Sequence, residues 1–316
     1  MSVPAPLGPF VRLWGLKMSE LPQPSSPSDE LLPFVLSILE EAVSFLDSIP
    51  SYSNSQIPQA SSQSSRRGLW KAKGAYPYPG CDAKIEAYER VVSTSELKDI
   101  AAKNNIIQDK STDFHSEFWT CRRSLHEDAS RKGTANWAEF LQCFRDHHAE
   151  AEDLFTDSII ETNTAAEWRC EGITARIGEK EYGRITLKLE ESRHHIGSPL
   201  KDRVFAVLQM TATVLGTQEF VVVSIAITET ESSPICALTK KPGVVTASYT
   251  SVERIRKVPA GTIEWTMATA SDARGVLPAW LQALSVPAKI RKDVPMFLVW
   301  LANQNRQEIQ QGIFPQ

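Results

Sequence analysis

The chain has 316 residues, a formal net charge of −4 and a hydrophobic content of 42%. This length and composition allow a sizeable buried core, in one large or two small domains. The acidic balance provides no overall basic field, so general nucleic-acid binding is not expected. Five cysteines are widely spread without a Cys-x-x-Cys pair, which argues against a disulfide framework or a zinc ribbon. We therefore predict a soluble, cytoplasmic protein.

The N-terminal quarter of the chain is mostly polar and rich in proline. Residues 1–27 are predicted to be a disordered tail, and removing residues 1–17 is expected to leave the melting temperature unchanged. Helical spacing of apolar residues predicts a helix over 28–48. Residues 49–68, mostly Ser, Gln, Asn and Pro, are predicted to be a polar linker. The cationic and aromatic stretch at 66–80 is interpreted as a loosely docked arm, with a membrane-surface or ligand-covering segment as the alternative.

The remainder of the chain alternates apolar and polar residues in a series of short segments. "FHSEFWTCRRSLHE" and six later segments have the period of two that is typical of strands, and short turns connect them. Short connections favour antiparallel pairing over a parallel sheet with crossover helices. "VFAVLQMTATVLGTQEFVVVSIAIT" (204–228) is long enough to cross a bilayer, but its central turn and β-branched residues favour two strands.

Two helical segments interrupt or follow these strands. "ANWAEFLQCFRDHHAEAEDL" has apolar residues at helical spacing and predicts a helix between early strands. "IEWTMATASDARGVLPAWLQAL" (263–284) begins as an alternating strand and continues as an apolar helix after a polar loop. The strand therefore leads directly into a long C-terminal helix.

Several stretches together resemble a known family. "PLKDRVF" (199–205) resembles a step found in START lipid-transfer domains, and "MATASDARGVLPAWLQALSVPAKIRKDVPMFLVWL" resembles their last strand, loop and closing helix. "FWTCRRSLHED", "WAEFLQCFRDHHAEAE" and "IEWTMATASDARGVLPAWLQ" resemble an uncharacterised START-like family found mainly in fungi. The resemblance covers residues 69–303 and leaves 304–316 as a C-terminal tail. It implies an α+β helix-grip fold, in which a curved antiparallel sheet wraps around a long C-terminal helix.

Such a fold predicts an internal cavity. A sheet bent around one helix closes completely only with very bulky side chains, so an apolar space commonly remains. The loop at 271–275 lies between the last strand and the closing helix, where an entrance would be useful. The alternative interpretation of that loop is a simple helix-start turn.

The predicted ligand-binding residues follow from strand parity. Charged residues in phase with apolar strand faces are expensive to bury unless they are paired or hold the polar end of a ligand. Structural ion pairs, strand ends in water and plain core packing are the competing explanations. The predicted set is Trp119, Arg123, Trp168, Leu187, Leu189, Arg193, Met210, Glu264, Trp265 and Met267.

No catalytic, metal or cofactor site is predicted. His148 and Glu152 are one helical turn apart, but no second half-site appears, and a solvated helix end is the favoured interpretation. The sequence has no nucleophile elbow, P-loop or dinucleotide fingerprint. We predict binding, and transfer, of a lipid, sterol or other hydrophobic small molecule, with transient membrane contact and no nucleic acid.

Two other functions are kept open. One is a cyclase- or aromatase-like enzyme acting on a polyketide-like substrate, with Arg123, Arg193 and Glu264 as its first candidates. The other is an interaction scaffold whose cavity is filled by side chains. We prefer binding, then the enzyme, then the scaffold.

Overall fold

A computed structural model of the chain describes residues 7–50, 69–106, 114–272 and 279–315, with backbone only over 279–286. Most of the predicted entrance loop and of the linker therefore lies outside the described residues. The strands are β1 Leu16–Lys17, β2 Lys71–Tyr78, β3 Cys81–Val92, β4 Glu117–Glu127, β5 Ile159–Trp168, β6 Ala175–Ile177, β7 Lys180–His194, β8 Arg203–Val214, β9 Glu219–Thr228, β10 Val245–Lys257 and β11 Thr262–Asp272. The α-helices are α1 Ser28–Asp47, α2 Thr94–Lys103, α3 Trp137–Leu141, α4 His148–Phe155, α5 Ala279–Ala302 and α6 Arg306–Gln310.

The described strands form one large sheet in the order β2-β3-β4-β11-β10-β9-β8-β7-β5, with β1 and β6 at its margins. Every neighbouring pair along this order is antiparallel. The sheet is curved, and α5 packs against β3, β4 and β11. The predicted helix-grip architecture is confirmed.

Both faces of the sheet are covered. We call the side that faces α3, α4 and α5 the inner face, and the side covered by α1 the outer face. The inner face carries an aromatic core in which Trp265 packs against Phe144 and Phe297, with ring centroids 4.6 and 5.7 Å away. The outer face packs against α1 in a second core of aliphatic residues from β7, β8 and β9. Because successive residues of a strand alternate between these faces, each strand contributes to both cores.

The N-terminal segment is part of the outer layer, so the predicted disordered tail is wrong for residues 7–27. Val11 and Arg12 are fully buried, and Leu16 pairs with Ile227 of β9. Backbone amides of this segment donate to Glu41 of α1 and to Glu117 of β4. The prolines exclude a regular helix here, but buried carboxylates replace the missing helical hydrogen bonds. The helix predicted over 28–48 forms as α1.

Two other segments predicted to be loose are also ordered. The predicted arm at 66–80 contains β2, and the Arg291 guanidinium of α5 lies 4.1 Å from the ring centroid of Tyr76. The predicted tail at 304–316 contains α6, where Arg306 donates to the fully buried Glu139 at 2.7 Å. Short amphipathic elements of this kind take their order from tertiary contacts rather than from local periodicity.

The long apolar stretch at 204–228 forms β8 and β9, as predicted. Across the described part of the chain, no helix has the length and apolarity needed to span a membrane. All five cysteines are free thiols.

Candidate functional site

The centre of the inner face is built on three adjacent strands. Met267 of β11 is directly opposite Arg122 of β4 on one side and Glu253 of β10 on the other. Directly opposed residues of antiparallel strands point to the same face, so these three side chains lie next to one another. The ring of Trp265 lies 4.0 Å beneath the Arg122 guanidinium, measured to its centroid.

Arg122 is a buried cation, with only 2% of its side chain exposed. Its Nη2 donates to Glu253 Oε1 at 3.2 Å and to the Met267 sulfur at 3.5 Å, while Nε lies 4.0 Å from Asp293 Oδ2 of α5. Nε and Nη1 donate to no acceptor among the described residues. Burying a guanidinium with unsatisfied donors is costly, which marks this position as special.

His148 and Glu152 of α4 face the same place. His148 Nε2 lies 3.7 Å from Glu253 Oε2, and His148 Nδ1 lies 3.8 Å from Glu152 Oε2. Burial opposes the charge on His148, but contact with Glu253 and the charge of Glu152 outweigh it and raise its pKa. Burial likewise opposes ionisation of Glu253, yet His148 and Arg122 hold its pKa below the usual value. We call Arg122, His148, Glu152, Glu253 and Asp293 the inner ionic cluster.

Two carboxyl groups of this cluster are enclosed and yet accessible. The side chains of Glu152 and Asp293 are 40% and 36% exposed. Burial is nevertheless the largest influence on both, raising the pKa of Asp293 to about 7 and the pKa of Glu152 above its usual value. Both carboxyls therefore keep accessible surface beside the buried Arg122 and His148.

A polar wall continues from this cluster across β8, β7 and β5. Gln209 hydrogen-bonds His148 at 3.2 Å, and Glu190 accepts from the Thr164 hydroxyl at 2.8 Å. A pocket of about 120 Å³ lies between these strands and the start of α4. Tyr249 and Phe205, whose ring centroids are 5.4 Å apart, stand on the inner face and are only half-buried.

The structure divides the predicted binding residues between the two faces. Trp265 and Met267 lie on the inner face and contact Arg122. The other eight lie on the outer face: Trp119, Arg123, Trp168, Leu187, Leu189, Arg193, Met210 and Glu264. These eight side chains do not face α5, and the most apolar parity of β7 and β8 lies in the core of the outer face. Their role in ligand binding stays a prediction.

Arg123 and Glu264 are brought together in a separate pocket of about 160 Å³ on the outer face. Arg123 pairs with Glu86 and contacts the Tyr88 hydroxyl, and Glu264 accepts from Arg256 at 2.9 Å. Cations and carboxylates are mixed in this pocket, as in a structural network.

Arg193 has a structural partner. Its Nη2 lies 2.6 Å from Asp202 Oδ2, next to Glu161. This pair holds the end of β7 to the start of β8.

Sequence reasoning missed Arg122, Glu253 and Asp293 of the inner ionic cluster. Arg122 has the parity opposite to Trp119 and Cys121, and Glu253 is a charge in phase with the apolar Tyr249 and Ile255 of its strand. These are the signals that could have identified them. The solvated helix end inferred for His148 and Glu152 is wrong for His148, because its ring contacts Glu253 and Gln209. Among the described residues, no group of three or more His, Cys, Asp or Glu side chains could hold a metal ion.

Asp293 provides a prediction about pH. Because its pKa in the folded protein is raised to about 7, the folded state keeps a proton that the unfolded state releases near pH 4. The melting temperature of the wild type should therefore fall as pH rises from about 4 to about 7. Asp293→Asn should flatten this dependence and raise the melting temperature above pH 7, measured by scanning calorimetry. An unchanged profile in the variant would contradict the raised pKa of Asp293.

Comparisons with known proteins are consistent with this architecture. A family model described as "Protein of unknown function (DUF3074)" matches residues 119–301. No curated protein matches the chain. The crystal structure of human STARD10 superposes with a TM-score of 0.50 and 12% identity, covering 90% of this chain and 83% of that one. This likeness shows a shared fold.

Two further human structures are similar at lower scores. The StarD13 (DLC2) lipid transfer and protein localization domain has a TM-score of 0.44 and 11% identity, covering 74% of this chain and 90% of its own. StAR-related lipid transfer protein 5 has a TM-score of 0.44 and 11% identity, covering 75% of this chain and 86% of its own.

Proposed function

The chain belongs to the DUF3074 family of proteins of unknown function, and from that membership and its START-like fold we propose that it binds and transfers a hydrophobic small molecule. The ligand, a lipid, sterol or similar compound, occupies an internal cavity between the inner face and α5. The same proposal places the protein in the cytoplasm, with transient contact to membranes where ligand is loaded or released.

The observation that carries this proposal is the incomplete burial of the inner face. Met267, Tyr249 and Phe205 belong to the long strands β11, β10 and β8, and all three remain only half-buried. Large side chains on the inner side of such a sheet are ordinarily covered, as Trp265 and Ile263 are. Residues that keep accessible surface in this position form the wall of a space, and apolar ligands bind in such spaces.

The chemistry of the wall suggests how a ligand is oriented. The aromatic core around Trp265 is solid and closes one end of the inner face. Next to this core, Arg122 and the other residues of the inner ionic cluster provide polar groups. Met267 and Tyr249 provide apolar and aromatic surface. An amphiphile would place its polar end at the inner ionic cluster and its hydrocarbon part along these side chains.

An acid–base enzyme is the second candidate, and the pKa values favour it. Asp293 with a pKa of about 7 and His148 with a raised pKa are groups that exchange protons near neutral pH. In that case the reacting groups are those of the inner ionic cluster, since Arg123 and Glu264 lie on the outer face. Turnover of a polyketide-like substrate that is lost in Asp293→Asn would favour this candidate.

Filling the proposed cavity tests the binding function. Met267→Trp adds volume on the inner face, where open space accepts the ring, so uptake of a fluorescent sterol or fatty-acid probe should fall at least tenfold. The melting temperature should change little, whereas overpacking a solid core costs about 1–3 kcal/mol. Strong destabilisation by Met267→Trp would show that this part of the inner face is solid.

Ala268→Leu is the matched control for this experiment. Ala268 is the next residue of β11, is fully buried and belongs to the outer-face core. The added volume there should lower the melting temperature and leave probe affinity unchanged. Equal loss of uptake in both variants would mean that the effect of Met267→Trp comes from general damage to the fold.

A further inference from the structure

The inner ionic cluster has an unbalanced charge. Three carboxyl groups, from Glu152, Glu253 and Asp293, face two basic groups, Arg122 and His148. With every group ionised, the cluster is therefore one positive charge short of neutrality. Enclosed charges are stable only when they are paired, so this deficit has to be met by a proton or by a cation.

The hydrogen bonding of the two accessible carboxyls is also incomplete. The nearest basic atoms to Glu152 and Asp293 are His148 Nδ1 at 3.8 Å and Arg122 Nε at 4.0 Å, which are ion-pair distances without a hydrogen bond. Both carboxyls keep accessible surface, with 40% and 36% of their side chains exposed. Their oxygens are free to accept from a donor that enters the cavity.

Arg122 provides an independent observation at the same place. Its side chain is 98% buried, and its Nε and Nη1 have no hydrogen-bond acceptor among the described residues. A buried donor without an acceptor is destabilising, so these nitrogens indicate an oxygen acceptor beyond those of the described residues. The site can therefore take a positive donor beside the carboxyls and a neutral or weakly charged acceptor beside Arg122.

Neighbouring charged residues do not supply the positive charge that the inner ionic cluster lacks. Glu190 and Lys188 of β7 add one charge of each sign at the edge of the inner face. Lys289 of α5 is exposed, and its charge acts on His194 rather than on the cluster.

We infer that the ligand is an amphiphilic base, in which the polar end carries a protonated amine next to a hydroxyl or carbonyl oxygen. The amine lies between Glu152 and Asp293, and the oxygen accepts from Arg122. Fatty acids are disfavoured, because their carboxylate would add a fourth negative charge to the enclosed cluster. This inference rests on the proposed binding function and specifies the chemical class of its ligand.

A displacement series tests this inference. Nile red, a neutral probe of apolar sites, is displaced from the full chain by a single-chain amino alcohol, amine, alcohol and carboxylic acid of equal chain length, below their micellar concentrations. We expect the amino alcohol to bind at least about tenfold tighter than the carboxylic acid, with the simple amine and the alcohol between them. A carboxylic acid that binds as tightly as the amino alcohol would overturn the inference and leave the binding function standing.

Charge-neutral variants test whether Glu152 and Asp293 cause the preference for the amino alcohol over the carboxylic acid. Glu152→Gln and Asp293→Asn should each reduce amino-alcohol affinity several-fold, and together about tenfold or more, without changing the affinity for the alcohol. Glu150→Gln is the matched control, because Glu150 is on the same helix, is exposed and pairs with His147. Unchanged selectivity in the double variant would contradict the inference. Failure of Nile red and all four amphiphiles to bind would instead refute the binding function on which it rests.

Discussion

Arg12→Met should destabilise the protein by about 3–5 kcal/mol, because it leaves two buried carboxylates without their cation. Arg12 is fully buried, with Nη2 at 3.5 Å from Glu41 Oε1 and Nη1 at 3.3 Å from Glu117 Oε2. For a domain of this size, the melting temperature should fall by roughly 6–20 °C. Removing residues 1–17 deletes the same cation and should be at least as damaging.

The pH dependence identifies the cause of this loss. Burial raises the pKa of Glu41 even with Arg12 beside it. Without Arg12 its pKa in the folded state rises further, so the folded variant holds a proton that the unfolded chain releases. The stability difference between variant and wild type should therefore be larger at pH 7 than at pH 5, measured by urea unfolding.

Lys17→Met is the control for Arg12→Met. Lys17 pairs with Glu229 at 3.4 Å, and both side chains are about half exposed, so the loss should be between about 0 and 1 kcal/mol. Equal effects of the two substitutions, or an Arg12→Met variant as stable as the wild type, would show that the N-terminal segment does not pack as described.

Arg122→Met should produce the second large effect, a loss of about 3–5 kcal/mol together with loss of probe binding. The substitution removes the cation that Glu253 contacts at 3.2 Å and that stacks on Trp265 at 4.0 Å. Arg122→Lys keeps the charge without the planar, forked donor group, so its stability should be intermediate. This folded variant allows probe affinity to be measured by titration, and we expect a loss of about tenfold or more.

Lys73→Met is the control that separates the loss of an exposed ion pair from the loss of the buried pair of Arg122. Lys73 and Glu89 are 2.8 Å apart on the exposed hairpin of β2 and β3, so this substitution should cost less than about 1 kcal/mol and leave probe affinity unchanged. If Arg122→Lys bound the probe with wild-type affinity, the polar end of the ligand would have to lie elsewhere.

The strands and the closing helix could be predicted because their patterns are local. Alternation over 203–214 and 262–272 reflects a backbone period of two, and the change to helical spacing marks the start of the final helix. Short connections then restrict the topology to antiparallel neighbours. The pairing of β4 with β11 joins distant parts of the chain, and no local pattern contains it.

The face of the sheet that carries the inner ionic cluster could not be predicted in this way. Parity shows which residues share a face, but not which layer covers that face. Leu187, Leu189 and Met210 are the most apolar set because they pack against α1 in a solid core. The inner face mixes buried polar positions, such as Gln209 and Glu253, with apolar ones, so it has no comparable apolar signal.

The ordered structure of the N-terminal segment also could not be predicted from the sequence, for a different reason. Prolines and the absence of periodicity correctly exclude a regular helix over residues 7–17. They carry no information about Glu41 and Glu117, whose carboxylates accept from the backbone amides of Phe10 and Leu13 at 2.7 and 2.6 Å. Such an extended segment is ordered by partners far away in the sequence.

The most direct test of the central claim is native mass spectrometry of the purified full-length chain after incubation with mixed lipid and sterol vesicles. We expect one hydrophobic molecule bound per chain, released on denaturation, and reduced occupancy in Met267→Trp but not in Ala268→Leu. A chain that carries no adduct from a broad panel of lipids, sterols and amphiphilic bases would contradict the claim that its inner face encloses a ligand.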